Sequence, residues 1–80
     1  MTIGDAVRER IQELCALRGY TLNKLATVSG VTQSTVNNII SGRNNSATVA
    51  TIKKLCDGLD ISIVDFFNTE RFLTLEQEIK

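Results

Sequence analysis

The amino-acid sequence predicts a small all-α domain of five helices. Its 80 residues are 42% hydrophobic, which is enough for one compact core but not for a second domain. Apolar residues recur three and four positions apart along most of the chain, as they do on one face of a helix. A Ser or Thr precedes each of the five periodic stretches, where a helix N-cap is expected.

Helix 1 is predicted to begin after Thr2 and to end at Gly19. Thr2 and Asp5 have the spacing of a capping box, and the inward face is marked by Ile3, Val7, Ile11, Leu14 and Leu17. Helix 2 is predicted at about residues 22–29 with Thr21 as its cap. Helix 3 is predicted at about residues 33–41, where Gly42 ends it.

Residues 22–41 carry the most informative pattern in the chain. Ala26 is small enough for close helix packing, and Gly30 stands four residues later, where a turn needs a positive φ. A hydrophobic residue follows at once, with others five and eight positions beyond it, Val31, Val36 and Ile39. This order and spacing match the helix-turn-helix motif, in which the second helix reads DNA.

Two further helices and a tail are predicted after a polar loop at residues 43–47. Thr48 is expected to cap helix 4, with Asp57 and Gly58 breaking its pattern; its inward residues are Val49, Ile52, Leu55, Cys56 and Leu59. Ser62 and Asp65 begin a short helix 5 that places Ile63, Phe66 and Phe67 against the core. In the tail, Phe72, Leu75 and Ile79 fit a sixth helix, while Thr74 could cap a shorter one.

The formal charge is zero, but the charges are segregated along the chain. Residues 14–56 contain no Asp or Glu and five cations, Arg18, Lys24, Arg43, Lys53 and Lys54, whereas residues 1–13 sum to −1 and residues 57–80 to −4. A solvated surface would mix its signs, so the middle block favours an anionic partner.

The outward face of helix 3 consists of amides and hydroxyls. An Asn or Gln amide can pair with adenine N6 and N7 in the major groove, which makes base readers of Gln33, Ser34, Asn37 and Asn38. The alternative is that they are ordinary solvated side chains. Lys24, Arg43, Lys53 and Lys54 are candidates for phosphate contacts, although solvated charges are an equal alternative for Lys53 and Lys54.

The chain resembles the Cro and cI type of phage-repressor regulators, also called the xenobiotic response element family, over about residues 4–67. The matching residues are Tyr20-Thr21-Leu22, Leu25-Ala26, Ser29 to Val36, Ser41-Gly42, Thr51-Ile52, Leu55-Cys56 and Asp65-Phe66-Phe67. The resemblance implies a lambda-repressor-like five-helix domain, with helix 3 in the major groove and a two-fold dimer on a palindromic operator. It also implies phosphate contacts from Thr32 and Arg43.

Two positions depart from the family pattern. Leu22 stands where the family commonly has a phosphate-binding glutamine, and Ala47 stands near a common proline.

Residues 1–67, which include the region of resemblance, are expected to form the DNA-binding domain. Residues 68–80 lie outside the shared region and are expected to extend the core or to form a dimer contact.

The leading functional hypothesis is a sequence-specific regulator of transcription that binds double-stranded DNA as a dimeric repressor. The alternative is a protein-interaction module of the antitoxin or anti-repressor type on the same scaffold. An enzyme is not expected, because the sequence has no His, no clustered carboxylates and two Cys that fall on inward faces. No cofactor, metal site or small-molecule substrate is expected. The sequence contains neither a membrane span nor a secretory signal, which predicts a cytoplasmic protein.

Overall fold

The computed structural model describes residues 1–42, 47–77 and 79. Within them the chain forms five α-helices and one short 3₁₀ helix at Glu70–Phe72. The α-helices are α1 (Ile3–Arg18), α2 (Leu22–Ser29), α3 (Gln33–Ser41), α4 (Val49–Leu59) and α5 (Ile63–Phe67). The predicted all-α, five-helix fold is confirmed.

Each α-helix begins at a hydroxyl that accepts a hydrogen bond from the backbone N–H of the third helical residue. The caps are Thr2, Thr21, Thr32, Thr48 and Ser62, as the sequence predicts. At α1 the bond is reciprocated, because the Asp5 carboxylate accepts from the Thr2 backbone N–H, which completes a capping box. Local capping chemistry therefore fixes where the helices start.

Helix α4 continues through Asp57 and Gly58, so the predicted break at these residues is wrong. A glycine inside a helix weakens it without necessarily ending it, and here Gly58 faces α2. The helix ends instead at Asp60, which adopts a left-handed conformation with φ 58°. Its N–H donates back to the carbonyls of Cys56 and Asp57.

The core is a single cluster, and the contact between α2 and α4 is its most extensive helix pair. Its buried members come from all five α-helices: Val7, Ile11, Leu14, Cys15, Leu25, Ala26, Val36, Ile39, Ile52, Leu55, Cys56, Leu59 and Phe66. The prediction that Leu17 and Val49 face inward is wrong, because Leu17 is 75% exposed and Val49 is 72% exposed. Both lie at the edge of their helix's apolar stripe, where no element of the described chain covers them.

The described part of the tail packs on α1 and contains no α-helix. Phe72, in the 3₁₀ helix, lies partly buried against the core with its ring centroid 4.9 Å from that of Phe67. Over the described part of residues 68–80, the predicted stripe is therefore only partly inward, since Leu73 and Ile79 are exposed.

Two arginine side chains connect α1 to α5 and to the tail. Arg10 donates from Nε to the Phe66 carbonyl at 2.8 Å and from Nη2 to the Asp65 carbonyl at 2.7 Å. It also pairs with Glu13, whose other carboxylate oxygen accepts from Arg71 at 3.1 Å. The network lowers the pKa of Glu13. The hydrogen bond from Arg10 and the charges of both arginines cause this shift, while burial acts in the opposite direction.

Both cysteines are buried free thiols, as predicted, and burial raises the pKa of the Cys15 and Cys56 thiols. Among the described residues, every helix is too short or too polar to span a bilayer.

Candidate nucleic-acid interface

Helices α2 and α3 are joined by a three-residue turn. Gly30 has φ 67°, which a residue with a β-carbon adopts only under strain, and the next N–H, that of Val31, donates to the Ala26 carbonyl at 3.1 Å. Thr32 then caps α3. The angle between the two helices is thus held by backbone geometry and by the burial of Leu25, Ala26, Val36 and Ile39.

The four predicted base readers all lie on the exposed side of α3, while Val36 and Ile39 are buried on the other. Along the described chain, no hydrogen bond or ion pair engages the side chains of Gln33, Ser34, Asn37 and Asn38. Nearby, the Ser41 hydroxyl donates to the Asn38 backbone carbonyl at 3.3 Å. The face can therefore offer its donors and acceptors to an external partner.

The first turns of α2, α3 and α4 contain no acidic residue, in contrast to α1 and α5, which carry Asp5 and Asp65. The third helical residue is Lys24 in α2 and a threonine in α3 and α4. The Thr35 and Thr51 hydroxyls contact the capping hydroxyls of their helices at 2.8 and 2.9 Å. A hydroxyl here keeps the partial positive charge of the helix N-terminus uncompensated, whereas a carboxylate would neutralise it.

The five cations of the middle block differ in what they contact. Lys24 and Lys54 are exposed and have no ion pair to a described residue. Arg18 donates to the Asp60 carbonyl at 3.4 Å, and Lys53 forms an ion pair with Asp57. Arg43, a predicted phosphate contact, lies outside the described residues.

Leu22 is half-buried and packs against the core, as does Ala47, the other position that departs from the family pattern. An apolar side chain cannot donate a hydrogen bond to phosphate, as the amide of a glutamine does. If α2 approaches a phosphate, its backbone N–H groups and Lys24 can supply the contact.

Sequence reasoning missed two features that shape this region. One is the contact between the Thr32 and Thr35 hydroxyls, for which the Thr-x-x-Thr spacing at residues 32–35 and 48–51 was the available signal. The other is Ser29, which is buried and whose hydroxyl has no hydrogen-bond partner among the residues that the structure describes. Nothing in the spacing of Ser29 indicates that it faces α4.

In the described part of the chain, no three His, Cys, Asp or Glu side chains are grouped as metal ligands. What the surface does combine is a rigid two-helix unit, an uncharged hydrogen-bonding face and three helix starts without acids. These features define the helix-turn-helix class of DNA-binding domains, with a lambda-repressor-like arrangement of five helices.

A family model described as helix-turn-helix matches residues 11–66. The chain belongs to this Cro/cI-type helix-turn-helix family. It is similar to a solved structure described as the crystal structure of the prophage Lp1 protein 11, with 40% sequence identity and a TM-score of 0.82 over 90% of this chain and 95% of that chain. No curated protein matches it significantly. The family is one of DNA-binding regulators of transcription, and the resemblance seen in the sequence is confirmed.

Proposed function

We propose that the protein is a dimeric repressor that recognises an operator in double-stranded DNA with α3 in the major groove. The observation that carries the proposal is the exposed polar face of α3, whose amides have no partner within the described chain. Neutral amides suit base edges, because they present a donor and an acceptor side by side. A solubilising helix face would ordinarily carry Lys and Glu, and this one carries neither.

Gln33, Ser34, Asn37 and Asn38 are the proposed base readers. Gln33 and Ser34 stand in the first turn of α3 and reach deepest, because the N-terminal residues of a recognition helix contact the base edges. Thr32, Lys24 and Arg43 are proposed phosphate contacts, which set the register of the protein on DNA without reading sequence.

The helix starts support the same orientation. Phosphate binds favourably at a helix N-terminus that lacks a competing carboxylate, and α2, α3 and α4 share this property. The two acidic helix starts belong to α1 and α5. The DNA would therefore meet the N-terminal ends of the three central helices.

Two-fold pairing is part of the proposal, since a palindromic operator presents two equivalent half-sites about one helical turn apart. We assign DNA binding to residues 1–67 and treat residues 68–80 as an extension that completes the core or joins the two copies. The proposed place of action is the cytoplasm.

Selection from a pool of random duplexes tests the proposal. An inverted repeat with half-sites about 34 Å apart is expected. On that operator, Gln33→Ala should cost about 1–3 kcal/mol and relax one base position, because a bidentate contact is lost. Lys24→Gln is the matched phosphate variant: it should weaken all sequences alike and reduce the salt slope by about one unit.

The interaction-module alternative has one observation in its favour, the packing of Leu22 into the core in place of a phosphate contact. If the selection recovers no sequence and the full chain instead forms a stoichiometric complex with another protein that Asn37→Ala disrupts, the repressor proposal is overturned. If Gln33→Ala weakens all sequences alike and Lys24→Gln relaxes one base position, the roles assigned to these two residues are refuted.

A further inference from the structure

Lys53 and Asp57 form an exposed ion pair on the outer side of α4. Their side chains are 57% and 61% exposed, and they stand one helical turn apart. Asp57 is the first acid beyond the acid-free block of residues 14–56. In the sequence, the pair therefore joins the last part of the acid-free block to the first acid after it.

The order of this pair is the one that stabilises a helix least. An acid placed four residues before a base complements the helix dipole, whereas here the base comes first. Asp57 also stands in the last turn of α4, next to the negative end of the helix dipole. Helix stability thus gives no reason for an acid at this position.

The pair does govern where the Lys53 ammonium lies. Side chains on a helix lean toward its N-terminus, so an unrestrained lysine at position 53 would extend toward the start of α4. That end has no acid in its first turn. Asp57 lies one turn in the opposite direction and draws the ammonium away from it.

We propose that Asp57 is a positioning residue that limits affinity for DNA by holding Lys53 away from the phosphate backbone. The inference rests on the proposed function, in which the start of α4 faces phosphate. A lysine that neutralises a phosphate strengthens binding to every sequence, because it releases a condensed counterion. Withholding one such cation lowers the affinity for non-operator DNA and frees the protein to exchange between sites.

The experiment measures binding of the full chain to a short duplex of random sequence over a range of salt concentrations. Asp57→Asn should bind about fivefold more tightly at low salt, with a salt slope steeper by about 0.9, the value for one added phosphate contact. Lys53→Gln alone should change the affinity less than twofold. Combined with Asp57→Asn, it should abolish the gain.

Asp60→Asn is the matched control. It removes the same charge from an exposed residue three positions away, and the ion pair of Lys53 is to Asp57 and not to Asp60, so the slope should be unchanged. Equal effects of the two Asn variants, or a gain that survives Lys53→Gln, would overturn the inference. Thermal unfolding of every variant shows whether a change in DNA affinity comes from a change in folding stability. Failure of the wild-type chain to bind any duplex would instead refute the proposed function.

Discussion

Gly58 lies so close to Ser29 that a β-carbon built on it would stand 2.1 Å from the Ser29 hydroxyl oxygen and 3.1 Å from its α-carbon. This contact joins α4 to the last residue of α2, immediately before the turn into α3. The spacing between the two helices is therefore set by the absence of a side chain. The close contact with Ser29 also explains why α4 contains Gly58 in its interior, although glycine weakens a helix.

Replacing Gly58 with a branched residue should force α2 and α4 apart. We expect Gly58→Val to lower the free energy of unfolding by about 1–3 kcal/mol, the usual effect of overpacking a filled core. Urea denaturation measures the change. Ala50→Val, at an exposed position of the same helix, is the control and should show only the small effect of helix propensity. Equal losses at both positions would contradict the proposed close packing.

The left-handed conformation of Asp60 makes glycine the better residue there. Asp60→Gly should raise the free energy of unfolding by about 0.5–1 kcal/mol, because the left-handed region strains a residue with a β-carbon. The hydrogen bond from Arg18 survives the change, since its acceptor is the backbone carbonyl. Thermal unfolding is the measurement. Asp60→Ala should instead destabilise, and a gain in that variant would show that the conformation is not the cause.

Two carboxylates should make the fold sensitive to acid. Hydrogen bonds from Thr2, first through its hydroxyl, lower the pKa of Asp5, and the bond from Arg10 lowers the pKa of Glu13. A carboxyl with a lower pKa in the folded state contributes stability above its unfolded pKa and loses it as pH falls through the folded value. The loss should therefore develop below pH 4.5, the ordinary value for Glu.

Glu13→Gln tests this assignment. The variant should be less stable than the wild type at neutral pH, and the difference should narrow as the pH falls below 4.5, because the Glu13 carboxyl is then protonated, first in the unfolded chain and at lower pH in the folded protein. Denaturant midpoints at several pH values provide the measurement. Glu9→Gln on the same helix is the control, and the same pH dependence in both variants would assign the effect to net charge.

An acid at the start of α4 should separate stability from DNA binding. Thr51→Glu places a carboxylate at the third helical residue, where it favours the helix dipole and can complete a capping box, so the stability should be unchanged or higher. The affinity for DNA should nevertheless fall several-fold, because the same carboxylate repels phosphate. Thr51→Gln is the uncharged control. A DNA affinity that Thr51→Glu leaves unchanged would place the start of α4 away from the DNA.

The starts of the five helices and the ends of α1, α2 and α3 are predictable because short-range chemistry determines them. A capping hydroxyl and a glycine in the left-handed region act within one turn of chain, and Thr21, Gly30 and Thr32 therefore predict α2 and α3 correctly. The exposed face of α3 followed from helical periodicity alone. These are the parts of the candidate site that a single sequence can specify.

The features that sequence reasoning missed depend on contacts between distant segments. Hydrophobicity gives no indication that Leu17 and Val49 lack a covering element. The bonds from Arg10 to the end of α5 span more than 50 residues, and no local pattern predicts them. Gly58 was misinterpreted for the same reason, because its cause is Ser29, 29 positions earlier in the chain.

Burial of the two thiols supplies an intrinsic reporter of conformational opening. Cys15 and Cys56 are enclosed by the core, and alkylating reagents attack the thiolate, which burial disfavours. Labelling in native buffer therefore proceeds through transient exposure of the interior, and its rate measures how often that exposure occurs. Addition of an operator duplex should slow the labelling of both cysteines together, because a ligand that binds only the closed state reduces the open population.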